Sequence, residues 1–477
     1  MKTLSQWLFL AFISFGTVYT LCGQEVSDQL TFTFSQEDAS IHPRIKGIWK
    51  SIGGGYIWDA RGDSFHLYSY TENYCFRERN DYQERLMIFE AQFLFKGDTL
   101  RIFPTDYGEQ TAQLNTPVDF IRVGELPNCL SREKLQKAGT DMIFAIFLEN
   151  MEENYAFSKE RKLDWEKIRM RYIDRVKDTT NQDSLFQWMG EIVQSTKDHH
   201  TKIFNKSGQK IQYTYTPSSD IVYDAYSHQS KVKDLNTFFG QFFESNYRHI
   251  SDTLLQGKGK KVLNGKIEWG RLNQGIGYIH IHQFSGFVKD PIPRKQQVDS
   301  IRYYMTEIID NLRDTDAIIV DVSFNFGGFD AAALTIAGHF TPEKLWAYSN
   351  QVFHQNSYQA VMETYVYPST AEPYLKPVYL LTTDITRSAA EIFSMAMRAI
   401  PHVKHVGKPT LGILSGMLNK SLGPFHTTCS YQRFLTPDGK FFEATGIPPE
   451  MELEIFNRPD VMKGHLEAVR ELIRIIE

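Results

Sequence analysis

Three short apolar runs constrain the fold of this chain more than any other feature. They lie at residues 275–281, 317–322 and 378–382. Each is followed by a segment with apolar residues at helical spacing, in turn residues 298–312, 331–338 and 392–400. A strand that is apolar on both sides is buried on both faces, which is typical of sheets covered by helices. We therefore predict an α/β core over residues 206–477, closed by a helix at residues 461–476.

The chain before this core shows two other patterns. At 477 residues it exceeds the length of one ordinary hydrophobic core, so several domains are expected. Residues 24–128 alternate apolar and polar side chains between glycine-containing turns, which predicts a small all-β domain. The segment Gly47-Ile48-Trp49 at its start resembles the opening of lipocalin-like barrels. Residues 129–205 change to helical spacing, which predicts a small helical domain.

The first 23 residues have the pattern of a secretory signal peptide. Lys2 precedes an apolar run from Trp7 to Tyr19, which is too short to span a bilayer comfortably. We predict cleavage after Gly23 and export, to the periplasm or as a secreted protein. The alternative is a lipoprotein acylated at Cys22. No other segment of the sequence approaches transmembrane length.

Charge and cysteine content exclude several classes of function. The formal charge is -5 with both signs mixed, so no surface for nucleic acid is expected. Export exposes the cysteines to an oxidising space, where we expect Cys75 and Cys129 to form a bridge and Cys429 to stay free. No Cys-x-x-Cys pair exists, so we predict no thiolate zinc site, and we expect no metal or other cofactor.

A serine lies where the third apolar run meets its helix. Ser388 opens a Ser-x-x-Glu motif that ends at Glu391. Backbone N–H groups at the first turn of a helix lack partners and favour negative charge, so a hydroxyl there can be activated and its oxyanion held. The alternative is a capping box, in which the two side chains only satisfy the helix amides. The rest of the chain has to decide between them.

Two segments carry groups that would assist such a serine. His199 and His200 end the helical region, and an imidazole titrates near neutral pH, as a general base must. A polar helix terminus would also explain them. Glu443 could orient the imidazole or bind the substrate, although a surface glutamate is the plainer interpretation.

A third segment supplies backbone donors. Gly327 and Gly328 follow the second apolar run, and paired glycines let backbone amides approach a ligand closely. Together with the amide of Ala389 they would bind a tetrahedral oxyanion. The alternative is an ordinary turn between a strand and a helix.

These motifs, in this order, resemble the C-terminal processing (tail-specific) protease family and its relatives built on the tricorn protease core. The matching segments are Asp198 to Thr201, Asp321 to Gly328, Ser388 to Glu391, Gly407 to Gly412, and Gly446 to Glu450. The resemblance covers roughly residue 131 to the C-terminus. It implies a serine peptidase core of ClpP/crotonase-like ββα units.

The resemblance also separates two catalytic versions of the family. Members with a Ser–Lys dyad have lysine directly after Gly-x-Pro-Thr-x-Gly, where this chain has Ile413, which cannot accept a proton. The tricorn-like version implies Ser388 as nucleophile, His200 as general base and Glu443 as supporting carboxylate. His199 could compete with His200 for the role of base.

We therefore predict an exported serine endopeptidase that acts on peptides or proteins. The alternative is a binding protein outside the cytoplasm that keeps the peptidase fold without turnover and binds peptides or other ligands. Its support lies in departures from the family pattern, because Ser323 replaces the usual arginine and Lys408 replaces a common glutamate.

Overall fold

The computed structural model describes residues 28–30, 43–62, 66–78, 91–104, 118–228, 232–288, 294–456 and 460–477. The predicted signal peptide, residues 1–23, lies outside them, and so does the acylation alternative at Cys22. None of the helices in the described ranges combines the length and the apolar character needed to cross a bilayer.

The first eight strands of the described ranges form one antiparallel sheet. They are β1 (Asp28–Leu30), β2 (Ile48–Ser51), β3 (Tyr56–Asp59), β4 (His66–Tyr70), β5 (Cys75–Arg77), β6 (Ala91–Lys96), β7 (Thr99–Pro104) and β8 (Val118–Val123). Their order is β1-β6-β7-β8-β2-β3-β4-β5. The predicted bridge between Cys75 and Cys129 is confirmed, with the two Cα atoms 4.4 Å apart, and Cys429 is free and buried. The lipocalin-like character of this region stays a prediction.

Four helices and a hairpin follow. They are α1 (Arg132–Gln136), α2 (Thr140–Asn154), α3 (Trp165–Tyr172), α4 (Gln182–Ser195), β9 (Lys202–Phe204) and β10 (Lys210–Gln212). Ser131, Asp164 and Asn181 cap α1, α3 and α4, because each side chain accepts a hydrogen bond from a first-turn amide. The helical spacing of residues 141–151 and 185–193 therefore marked true helices.

The next elements begin the central sheet. They are α5 (Ser219–Ser227), α6 (Leu235–Arg248), a π-helical turn (His249–Leu254), β11 (Lys260–Val262), β12 (Ile267–Arg271), β13 (Ile276–Ile281), α7 (Arg294–Leu312), β14 (Ala317–Asp321), α8 (Asp330–Ala337) and a 3₁₀ turn (Gly338–Phe340).

The remaining elements alternate between the central sheet and smaller sheets. They are β15 (Leu345–His354), β16 (Ser357–Tyr358), β17 (Met362–Val366), β18 (Val378–Thr382), α9 (Ala389–Arg398), β19 (Val403–Gly407), β20 (Met417–Leu422), β21 (Phe425–Ser430), β22 (Gln432–Leu435), β23 (Met451–Glu452) and α10 (Gly464–Ile476).

The three apolar runs of the sequence form β13, β14 and β18, which are neighbours in the central sheet. The sheet has the order β11-β12-β13-β14-β18-β19-β23 and is parallel from β13 onward. Ile318 and Val320 of β14 pack into the core formed with α7, α8 and α9, whereas Ile319 points to the opposite core with α6 and α10. Burial on both faces explains why these strands are apolar throughout.

One hydrophobic cluster crosses the predicted boundaries near residues 128 and 205. It joins Phe76 of β5, Phe147 of α2 and Leu418 of β20. The sheet under it has the order β10-β9-β21-β20 and so combines strands from both sides of residue 205. The helices bury their apolar faces on strands that come much later in the chain, so this core is shared. The division at 24–128, 129–205 and 206–477 stays a prediction.

Candidate active site

The segments singled out in the sequence leave the same edge of the central sheet. β14 ends at Asp321, β18 at Thr382 and β19 at Gly407, and the three strands are parallel neighbours. Carboxyl ends of parallel strands lie on one side of a sheet, and ligands of open α/β sheets bind there. The turns beyond this edge carry the paired glycines, Ser388 and the residues that follow β19.

Ser388 has a strained backbone at the start of α9. Its φ is 59° and its ψ is -129°, whereas the caps Ser131 and Asp164 have φ of -67° and -119°. Holding a non-glycine residue in such a region costs about 1–3 kcal/mol, and residues of this kind cluster at functional sites. A cap alone does not require this conformation, so the backbone favours the nucleophile interpretation. The side chain is partly exposed.

Gly327 lies directly against this serine. Its φ is 94°, and a Cβ atom built on it would lie 2.6 Å from Ser388 Cβ, 2.8 Å from Arg387 O and 3.0 Å from Ala389 N. All three atoms are backbone or Cβ, so no side-chain rotation could relieve the contact. The turns after β14 and β18 therefore touch at the serine, and only glycine allows it.

Two backbone amides beside Ser388 are unpaired. The amide of Gly327 donates to Asn325 Oδ1 at 2.8 Å. In the described part of the chain, the amides of Gly328 and Ala389 donate to nothing. A Cβ atom on Gly328 would lie 2.3 Å from Phe284 O, so this position also needs glycine. Of the two candidate glycines, only Gly328 has an amide free to bind an oxyanion together with Ala389.

Glu391 joins a neighbouring loop, residues 410–413, to the turn that carries Ser388 (the serine turn) through hydrogen bonds. Its carboxylate accepts hydrogen bonds from Ser388 N at 3.2 Å, Thr410 Oγ1 at 2.6 Å, and the amides of Gly412 and Ile413 at 2.7 Å each. Burial raises the pKa of Glu391 to about 7, although these hydrogen bonds oppose the shift. The capping-box arrangement is therefore present, and its glutamate does more than cap the helix.

His200 keeps a ring nitrogen without a partner. The residue is 7 % exposed, and Nδ1 is buried with no hydrogen bond. Asp198 orients the backbone here, since its carboxylate accepts from His200 N at 2.8 Å and Thr201 Oγ1 at 2.9 Å. Burial lowers the pKa of His200 to about 4, and the charge of Asp198 opposes that shift. The imidazole is thus neutral at pH 7 and able to accept a proton.

His199, the competing base, has both ring nitrogens engaged. Nε2 lies 2.8 Å from Tyr215 O, and Nδ1 lies 3.4 Å from Arg387 Nη1. A carbonyl only accepts and a guanidinium only donates, so Nε2 carries the proton and Nδ1 accepts. Burial lowers the pKa of His199 to about 4. Both ring nitrogens of His199 are thus engaged, whereas Nδ1 of His200 has no partner among the described residues.

Glu443 is a buried carboxylate with one oxygen free. It is 3 % exposed, and Oε2 accepts from the amides of Leu414 at 2.9 Å and Ser415 at 3.2 Å. Oε1 has no hydrogen bond, and Arg161 Nη2 lies 3.8 Å from it. Burial raises the pKa of Glu443 well above the usual value, and the charge of Asp198 adds to the shift.

The serine, the imidazole and the carboxylate surround one short segment, residues 412–415. Ser388 N donates to Ile413 O at 3.0 Å, Glu443 binds the amides of the next two residues, and the His200 ring lies by the Ser415 backbone. Positions two residues apart on an extended chain are roughly 7 Å apart. Among the described residues, no hydrogen bond joins Ser388 to either histidine or His200 to Glu443.

Sequence reasoning missed three polar residues of this site. Arg387 directly precedes the serine, Lys202 follows His200 by two positions, and Asn325 anchors the glycine turn through Gly327. Their positions next to the predicted site residues in the sequence were the signal that could have identified them. No group of three or more His, Cys, Asp or Glu side chains in the described ranges is arranged to hold a metal ion.

The geometry agrees with the families that this chain matches. Residues 275–453 match peptidase family S41, and residues 142–194 match the tricorn protease C1 domain. The carboxy-terminal processing protease CtpA of Bacillus subtilis (strain 168) is 28% identical over 235 residues, which are 45% of this chain and 47% of that protein. The chain thus spans about half the length of this curated relative.

Solved structures support the fold. A candidate peptidase from Parabacteroides merdae ATCC 43184 aligns with a TM-score of 0.56 and 24% identity over 71% of this chain and 97% of that one. Mature CPAF aligns with a TM-score of 0.50 and 12% identity over 72% of this chain and 98% of that one. At these identities the likeness concerns the fold alone. The motifs and the sequence matches together support a C-terminal processing peptidase similar to the members of peptidase family S41.

Proposed function

We propose that this protein is an exported serine endopeptidase that cleaves peptide bonds through an acyl-enzyme on Ser388. One observation carries the proposal. The strained serine lies beside two unpaired amides, those of Gly328 and Ala389, and it contacts Gly327. A backbone that only capped a helix would need neither the strain nor the free donors.

In the proposed reaction, Ser388 Oγ attacks the carbonyl carbon of the substrate while His200 accepts the hydroxyl proton. The carbonyl oxygen becomes an oxyanion and accepts hydrogen bonds from the amides of Gly328 and Ala389. Each such donor is worth about 10²–10³ in rate. His200 then protonates the leaving amine, and water releases the acyl group by the same steps in reverse order.

Glu443 is the proposed support for the imidazole. Its Oε1 and His200 Nδ1 are both buried without hydrogen bonds, and both residues lie beside the Ser415 backbone. A hydrogen bond from Nδ1 to Oε1 would hold the ring in the tautomer whose Nε2 accepts the proton of the serine. Catalytic hydrogen bonds are often long in unliganded enzymes and tighten when substrate binds, so we expect the triad to close in the complex.

The alternative is a binding protein that retains the fold. The observation in its favour is that the described structure has no hydrogen bond between Ser388 and either histidine. In addition, Ser323, at the position of the family's usual arginine, is buried with its Oγ bonded to Asp321 at 2.6 Å.

Labelling with a fluorophosphonate probe separates the two functions, since the probe reacts only with an activated serine. We expect wild-type protein to be labelled at Ser388 and the Ser388→Ala variant to be unlabelled. His200→Gln should lose labelling and His199→Gln should keep it. If correctly folded wild-type protein takes up no probe, the peptidase proposal is wrong and the binding protein is favoured.

Export is tested separately. We propose that the signal peptide is removed after Gly23, and the bridge between Cys75 and Cys129 supports a location that favours disulfides. Mass spectrometry of the mature protein should find Gln24 at the N-terminus. Acylated Cys22 would instead make the protein a lipoprotein, and an intact N-terminus would contradict export by this route.

A further inference from the structure

Arg387, directly before the nucleophile, carries a charge that is offset only in part, by the carboxylate of Glu391, with which it forms no ion pair. Its Cζ lies 4.4 Å from the centre of the Phe326 ring, and its Nη1 lies 3.4 Å from His199 Nδ1. In the described ranges no carboxylate lies within ion-pair distance of its guanidinium. The side chain is mostly buried, and that burial lowers the pKa of Arg387 to about 10. A partly desolvated cation without an anion is costly unless a ligand supplies one.

Lys202 is a second unpaired cation in the same place. Its Nζ lies 3.7 Å from Met417 Sδ, and among the described residues it has no carboxylate partner. Lys202 follows His199, whose ring contacts Arg387, by three positions. Burial lowers the pKa of Lys202, and the charge of Arg387 adds to that shift.

Two of the carboxylates near these cations are committed elsewhere, and a third, Glu443, has Arg161 as its neighbouring cation, with Arg161 Nη2 3.8 Å from Oε1. Asp198 is fully buried and accepts from His200 N and Thr201 Oγ1. Glu391 is fully buried and accepts four hydrogen bonds from the serine turn and the adjacent loop. Because the histidines are neutral at pH 7, the surface beside Ser388 is positive.

Exposed apolar side chains border this positive surface. Tyr215, whose carbonyl holds His199, is 44% exposed, and Met417, which contacts Lys202, is 42% exposed. Cations with apolar borders suit a peptide whose carboxylate lies next to apolar residues, because the anion finds donors while neighbouring side chains lose water.

We propose that Arg387 and Lys202 form a carboxylate-binding subsite beside Ser388, so that the preferred peptides carry an acidic side chain close to the scissile bond. This deepens the proposed peptidase function and rests on it. Arg387 is the main ligand, since its guanidinium adjoins the nucleophile and can bind a carboxylate through two parallel hydrogen bonds.

Peptide binding to the full-length Ser388→Ala protein tests the subsite without turnover. The probes are pools of random octapeptides with an N-terminal fluorescein, in which one position is Asp in one pool and Asn in its match. A second pair differs only in a free or amidated C-terminus. We expect the Asp pool to bind about tenfold more tightly than its Asn match, as one charge-assisted hydrogen bond implies. Equal binding of the Asp and Asn pools would overturn the subsite.

The two pairs also separate the sources of the carboxylate. A preference in the Asp/Asn pair would mean that the subsite binds acidic side chains. A preference confined to the free C-terminus would mean that the protein recognises chain ends alone, and it would overturn the subsite.

Variants in the Ser388→Ala background assign the residues. Arg387→Met should abolish the acidic preference, Arg387→Lys should keep part of it, and Lys202→Met should reduce it. Arg470→Met is the matched control, since it removes the same charge from an exposed position on α10. Melting temperature checks that each variant is folded. Retention of the full preference in folded Arg387→Met would overturn the assignment.

Failure of the peptidase function is distinguishable from failure of the subsite. Fluorophosphonate labelling of wild-type protein reports on the serine alone. Labelled protein without acidic preference keeps the peptidase and overturns the subsite. Acidic preference without labelling keeps the subsite and assigns it to a binding protein.

Discussion

Gly327→Ala should damage the serine turn far more than an ordinary glycine substitution does. The new Cβ atom would lie 2.6 Å from Ser388 Cβ and 2.8 Å from Arg387 O, closer than carbon and oxygen atoms pack. The backbone must also hold alanine at a φ of 94°. The conformation costs about 1–2 kcal/mol and the overpacking about 1–3 kcal/mol, so we expect a loss of about 2–5 kcal/mol.

The control for this variant is Gly265→Ala in the turn between β11 and β12. Gly265 has a φ of 73°, and a Cβ atom there meets nothing within 4 Å. Gly265→Ala is therefore destabilised only by the backbone conformation, by about 1–2 kcal/mol. The difference between the two variants isolates the contact with the serine turn.

Two assays measure the outcome. Urea unfolding followed by tryptophan fluorescence gives the loss of stability, and the fluorophosphonate labelling rate gives the state of Ser388. We expect Gly327→Ala to be less stable than Gly265→Ala and to label more slowly even where it is folded, because the new methyl group displaces the serine. If both variants were equally stable and labelled at equal rates, the close approach of the two turns would be refuted.

Four other expectations follow from the same geometry. His200→Gln should slow labelling by about 10²–10⁴, the usual contribution of a general base, while His199→Gln should change it much less. The labelling rate should fall near pH 4, because burial lowers the pKa of His200 to about 4 and the imidazole loses its lone pair only below that pH. Glu391→Gln should lower the free energy of unfolding in urea by about 1–3 kcal/mol. Thr410 can reverse its hydrogen bond, but one backbone N–H group would then face the NH₂ group of the glutamine. Replacing Cys75 and Cys129 by alanine should lower the free energy of unfolding by about 4 kcal/mol in the same assay, because the unfolded chain then regains the entropy lost by closing a loop with a sequence separation of 54 residues.

Much of the central sheet was predictable because its elements are defined locally. Strands β13, β14 and β18 and the helices α7, α8 and α9 begin and end within a few residues of the predicted segments. Their apolar periodicity reflects burial on one or both faces, and it can be counted along the sequence without knowing the partner.

The smaller sheets were not predictable in this way. Strands β15 to β17 and β20 to β22 are antiparallel and mix polar with apolar side chains, and Ser349 of β15 pairs with Leu435 of β22 far along the chain. The core shared by Phe76, Phe147 and Leu418 also has no local signature in the sequence. Its three parts are far apart in the chain, and each buries its apolar side chains against the other two.

For the site, the sequence alone determined the residue types and their order: a serine at the start of a helix, histidines before it, paired glycines after a strand and a glutamate near the end. Together with the family resemblance, Ile413 also predicts that the lysine dyad is absent. Only the tertiary structure decided which atoms are free to react. His199 is engaged because Tyr215 and Arg387 are folded against it. Hydrogen bonds between residues distant in sequence set those choices, and a linear pattern carries no record of them.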